Sequence, residues 1–135
     1  MGKHLLFIDD DCDFLYVLER TCKKIEEISQ VSTASHGKDA LEKLNEWVKS
    51  GQDLPNIAFI DINMPIMDGF EFLEKFKEKR AQLIALQKIV PIVMLTSSAD
   101  STDKDKAFST GIVSEYIVKP FDIAEMDTVI RKIVS

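Results

Sequence analysis

The chain has 135 residues, 45% of them hydrophobic and 30% charged, with a formal net charge of −6 and a pI near 4.9. Residues 1–135 are one domain's worth, enough to bury a core without staples, and the composition is that of a globular chain rather than a disordered one. The acidic balance argues against a nucleic-acid binder, which normally presents a basic face, and no apolar run approaches membrane-spanning length.

From the N-terminus, His4–Ile8 reads as a strand, nearly all apolar as a parallel strand covered on both faces should be. It runs into Asp9, Asp10 and Asp11. Apolar residues then recur at Phe14, Leu15, Leu18, Cys22, Ile25 and Ile28 with a period near 3.6, the stripe of a first helix. Cys12 and Cys22, on that one helix, lie roughly 15 Å apart and cannot pair, so two free thiols and a cytoplasmic location are expected. Gln30–Ala34 is a second strand, and Gly37 with Asp39 opens a helix whose buried face is Ala40, Leu41, Leu44, Trp47 and Val48. After a loop over 50–56, Ile57–Ile60 is the third strand, and a long third helix follows with Phe72, Leu73, Phe76, Leu83 and Leu86 on one face.

Pro91–Leu95 is the fourth strand, ending at Thr96, Ser97 and Ser98, and Lys104–Phe108 leaves room for only a short helix. Glu115–Val118 is the fifth strand, closed by Lys119 and Pro120. Ile123, Met126, Val129, Ile130 and Ile133 form the stripe of a last helix, which Asp122 is placed to cap. Five strands alternating with five helices predict an α/β three-layer sandwich around a parallel sheet, with the flavodoxin-like strand order 2-1-3-4-5.

The stretch FIDINMPIMDG at 59–69 organises this pattern, because an apolar strand carries Asp61 to a point where Pro65, Asp68 and Gly69 force a turn. Ligands of open parallel sheets bind at that carboxyl edge, where helix N-termini favour anions; a carboxylate there needs a cation beside it. In the predicted order the same edge collects Asp9 and Asp10, Asp61, Thr96 with Ser97, and Lys119. Each alone reads more readily as a cap, a turn residue or a solvated charge than as part of a site. Together, three carboxylates in one crevice call for a hard divalent ion and an ammonium. His4, His36 and Cys12 are expected outside this chemistry, the histidines at the surface and the thiol packed.

The segments FIDDD, DINMPIMDG, MLTSS and YIVKPF, each ending a predicted strand and in this order, resemble the receiver domain of two-component response regulators over residues 3–134. The single-domain, chemotaxis-type members are the most similar. The resemblance implies that Asp61 is the phosphoacceptor, that Asp10, Asp61 and the backbone carbonyl of Asn63 hold Mg²⁺, and that Asp9 acts through a metal-bound water. It implies phosphoryl contacts from Thr96 and Lys119, an aromatic switch at Tyr116, and catalysis confined to the protein's own phosphorylation and dephosphorylation. The implied partners are a sensor histidine kinase or histidine-phosphotransfer protein and, since the chain leaves no room for an output domain, a separate downstream protein; neither nucleic acid nor membrane is expected as a partner. Two departures stand out: the interval from Asp61 to Lys119 is longer than usual, which we assign to helix three, and Ser98 occupies the variable position two after Thr96 that tunes phosphate lifetime. A phosphatase of the haloacid-dehalogenase type would want an acid where Asn63 stands, and a phosphorylation-independent interaction module of this fold would have lost Asp10, Asp61, Thr96 or Lys119.

Overall fold

A computed structural model describes residues 2–89, 92–120 and 122–135. Its elements are β1 (Lys3–Ile8), α1 (Cys12–Lys23), β2 (Ile28–Ala34), α2 (Gly37–Ser50), β3 (Ile57–Ile60), α3 (Gly69–Gln82), a 3-10 helix (Ile84–Lys88), β4 (Ile92–Thr96), α4 (Ser101–Ser109), β5 (Glu115–Val118) and α5 (Ile123–Val134). The strands pair in parallel in the order β2-β1-β3-β4-β5, as predicted. Side chains alternate along each central strand, so both faces are buried: Leu6, Ile8, Ala58, Ile60, Ile92 and Met94 meet Leu44, Phe72 and Phe76 on one side. Leu5, Phe7, Ile57, Phe59, Val93 and Leu95 meet Leu18, Met126 and Ile130 on the other. This double burial is why β1, β3 and β4 carry apolar runs instead of alternating polar residues.

Helix starts follow local capping chemistry. Asp11, Asp68, Asp100 and Asp122 each accept backbone N–H bonds from the first turn of α1, α3, α4 and α5. His36 does the same for α2, its Nδ1 accepting from the Asp39 amide, so the half-buried His36 has a local structural role.

Several elements depart from the sequence reading. The first helix ends at Lys23, and Ile25 and Ile28 belong to the following turn and to β2, because a buried strand also spends apolar residues. The lengthened third helix does not form. Its apolar face stops at Phe76, the run KEKRAQ offers nothing to hold a further turn down, and Leu83 is extended, so Leu86 reaches the core from a separate 3-10 helix. Helix α4 is longer than expected, and of the predicted fourth strand Pro91 lies outside the described residues, as does Phe121 of the YIVKPF segment. Ile123 is exposed at the start of α5, and Cys12 is exposed where packing was expected. His4 is buried, not superficial: its Nε2 bonds the Ser32 hydroxyl at 2.7 Å and its ring tilts against Trp47. Burial lowers its pKa.

The β3–α3 connection is tight. The Met67 amide donates to the Pro65 carbonyl at 2.7 Å across Ile66, whose φ of 68° is one that a β-branched residue rarely adopts. The Gly69 amide donates to the Ile62 carbonyl, and a Cβ on Gly69 would stand 2.2 Å from the Asp61 carbonyl oxygen. Backbone, not a flexible side chain, blocks that space. Gly69→Ala is therefore expected to destabilise the fold by about 1–3 kcal/mol in urea denaturation, despite alanine's better helix propensity; an unchanged midpoint would show that the connection relaxes freely.

Candidate functional site: the acidic strand ends

Asp9, Asp61 and Lys119 each follow the last residue of a strand and are fixed by one more ladder bond. The Asp9 amide donates to the Ala34 carbonyl, that of Asp61 to Ile8, and that of Lys119 to Thr96, at 3.0, 3.0 and 2.7 Å. Thr96 itself ends β4 and is fully buried. Three segments far apart in sequence thus deliver their side chains to one edge with little backbone freedom.

There Lys119 Nζ lies 2.8 Å from Asp9 Oδ2 and 3.2 Å from Asp61 Oδ2. Both carboxylates are nearly inaccessible, at 3% and 6% exposure, so their charges need partners inside the protein. The second oxygen of each meets a backbone donor, Asp9 Oδ1 the Asp11 amide and Asp61 Oδ1 the Ile62 amide. Asp10 is exposed, yet one of its carboxylate oxygens lies within 4.8 Å of oxygens from both Asp9 and Asp61. Among the described residues the cluster holds three carboxylates against one ammonium. An all-oxygen, doubly negative excess fits a hard divalent cation such as Mg²⁺ better than a soft metal, so the cluster can bind a metal.

Burial raises the Asp9 pKa above the usual carboxylate value; the Lys119 bond and the Asp11 amide offset this only partly, and the Asp61 charge adds to it. For Lys119 burial alone would lower the value, but the bonds and charges of Asp9 and Asp61 outweigh it and hold the ammonium on.

The family model described as response regulator receiver domain matches residues 5–131. The chain belongs to the response regulator receiver family. It is 30% identical over 129 residues to the probable transcriptional regulator ycf27 of Guillardia theta, covering 96% of this chain and 44% of that protein. It is 31% identical to the two-component response regulator ARR11 of Arabidopsis thaliana, covering 93% of this chain and 21% of that one. The chain therefore spans less than half the length of these two relatives. The chemotaxis response regulator CheY4 of Vibrio cholerae superposes with a TM-score of 0.74 at 25% identity, with 100% of both chains covered.

In this receiver the other predicted site residues fall close by. Asn63 is exposed in the loop two residues beyond Asp61. Tyr116, half-buried on β5 opposite Met94, donates its hydroxyl proton to the Ser98 carbonyl at 2.9 Å. Ser98 joins more than its sequence position suggested: its amide donates to Thr96 Oγ1 at 3.3 Å, and its own hydroxyl donates to Asp103 of α4 at 2.7 Å. Phe14, read from the sequence only as part of a helix stripe, places its ring centroid 4.5 Å from Lys119 Nζ. The available signal was its place in the first turn of the helix that leaves the acidic strand end.

Because the folded-state pKa of Asp9 is raised, its contribution to stability is fully present below about pH 3.8 and is lost as pH rises through the raised value. Asp9→Asn, which retains size and an oxygen acceptor, is expected to be more stable than wild type at pH 7 in the presence of a chelator. Urea titrations across pH should show the advantage fading as pH falls. A variant less stable at neutral pH would mean that the Lys119 pair outweighs desolvation.

Proposed function

We propose that this receiver takes a phosphoryl group onto Asp61 from a sensor histidine kinase or a histidine-phosphotransfer protein and transmits the new charge as a change in a protein-binding surface. The observation that carries this reading is the Lys119 ammonium bridging Asp61 and Asp9, with Asp10 completing an oxygen cluster, in a chain matched by the receiver family model. An Asp61 oxygen attacks phosphorus, the new O–P bond forms as the bond to the donor's histidine nitrogen breaks, and that nitrogen keeps the electron pair. Two anions must meet for this, so the work is positioning and electrostatics. Lys119 transfers its contact from Asp61 to a phosphoryl oxygen, and the Thr96 hydroxyl engages another. Asp10, Asp61 and the Asn63 carbonyl would hold Mg²⁺, and Asp9 would act through a water. The positive charge that lets the two anions approach would come from that ion when bound.

The phosphoryl group then draws on the Thr96, Ser98 and Tyr116 bonds, and the surface of α4, β5 and α5 reads the result for a downstream protein. On this reading residues 1–135 are one receiver domain working in the cytoplasm, and the catalysis is limited to its own phosphorylation and dephosphorylation. With Mg²⁺ and acetyl phosphate, intact-mass measurement should show one acid-stable, base-labile phosphoryl group on wild type and none on Asp61→Asn. Equal labelling of the two proteins would overturn the assignment.

A further inference from the structure

We propose that Phe14 is a positioning residue for phosphoryl transfer: its aromatic face holds the Lys119 ammonium in place while the carboxylates around it change state. The inference rests on the phosphoacceptor reading and deepens it. An ammonium has three N–H donors. Two point to Asp9 Oδ2 and Asp61 Oδ2, and the ring centroid of Phe14 stands 4.5 Å from Nζ, within cation–π range. The Lys119 side chain is only 17% exposed, so the attraction operates in a largely desolvated place where it is strongest.

The three contacts differ in permanence. Asp61 is no longer a free carboxylate once its oxygen carries the phosphoryl group, and a cation bound beside Asp9 would compete for that carboxylate, so both contacts are open to change during the reaction. The ring is not. Phe14 packs against the core cluster that contains Leu18, Phe59 and Leu95, which limits its freedom to move. It therefore confines Nζ to the small volume where a phosphoryl oxygen arrives, and it does so without adding a charge that would need neutralising. A purely apolar side chain of the same size would fill the space but would not attract the ammonium.

Replacing Phe14 by mono-, di- and trifluorophenylalanine separates these roles, since fluorine withdraws charge from the ring face while leaving shape and burial nearly unchanged. The initial rate of phosphorylation by acetyl phosphate at fixed Mg²⁺ should fall stepwise with fluorine count, reaching roughly a tenfold loss by Phe14→Leu, and Phe14→Tyr should restore most of it. Urea midpoints along the fluorinated series should stay level. In the metal-free, unphosphorylated protein, the Lys119 methylene protons next to Nζ should carry an upfield ring-current shift in ¹H–¹³C spectra. Rates independent of fluorination would reduce Phe14 to packing and overturn the proposal, as would unshifted Lys119 protons. Neither result touches the phosphoacceptor reading, which stands or falls on Asp61→Asn.

Discussion

Asp9 and Asp61 are almost fully buried carboxylates, and among the described residues one ammonium, that of Lys119, lies within bonding distance of both. A buried charge without a partner costs several kcal/mol. Losing Lys119 would strand both carboxylates, a change that for a buried pair typically costs about 3–5 kcal/mol, whereas losing Asp9 leaves the ammonium paired with Asp61. The three residues are separated by dozens of positions in the chain, so the fold must bring three strand ends together to within a fraction of an ångström. A parallel sheet achieves this because its register is set by the double-sided apolar core, and each site residue then takes one further ladder bond past its strand. Core packing and site chemistry are thus one constraint: a slip in β1, β3 or β5 would part the ammonium from its carboxylates.

The same tightness accounts for the backbone around Asp61. The chain has eight positions in which to leave β3, clear the site and enter α3, and it does so with a bond across Ile66 at positive φ and with Gly69 pressed against the Asp61 carbonyl. Such strain persists only where surrounding contacts over-determine it. Here they do: the loop is pinned at both ends, by the Asp61 amide on β1 and by the Asp68 cap on α3, and the Met67 carbonyl accepts from the Gly37 amide at the start of α2.

Strands β1, β3 and β4 and their polar ends were legible in the sequence because burial on both faces leaves an unbroken apolar run that stops abruptly where the edge meets solvent. Asp9, Asp61, Thr96 and Lys119 could be placed on one edge from strand order alone. What sequence could not supply was the tertiary competition for apolar residues. Ile28 is apolar for β2 and not for α1, and Leu86 fills the core from a 3-10 helix because the charged run before it gives α3 no buried face beyond Phe76. His4 looked superficial by residue type, yet the edge strand and Trp47 cover it. Phe14 served the helix stripe so well that its second contact, with Lys119, left no separate trace in the pattern.

How a charge at Asp61 would reach a partner surface follows from the unequal anchoring of the helices. α3 sinks Phe72, Leu73 and Phe76 into the core and α5 sinks Met126, Ile130 and Val134, whereas α4 buries only Ala107. Local stability tracks buried apolar contact, so α4 is the helix that shifts at least cost. Its first turn is nevertheless tied to the site by short bonds that converge on Ser98, which links Thr96, Tyr116 and Asp103 through its amide, carbonyl and hydroxyl. Under the proposed phosphorylation, a weakly packed helix joined by directional bonds to a rigid site would convert a sub-ångström change at Thr96 into a displaced surface, because the bonds would carry the movement and few core contacts would resist it.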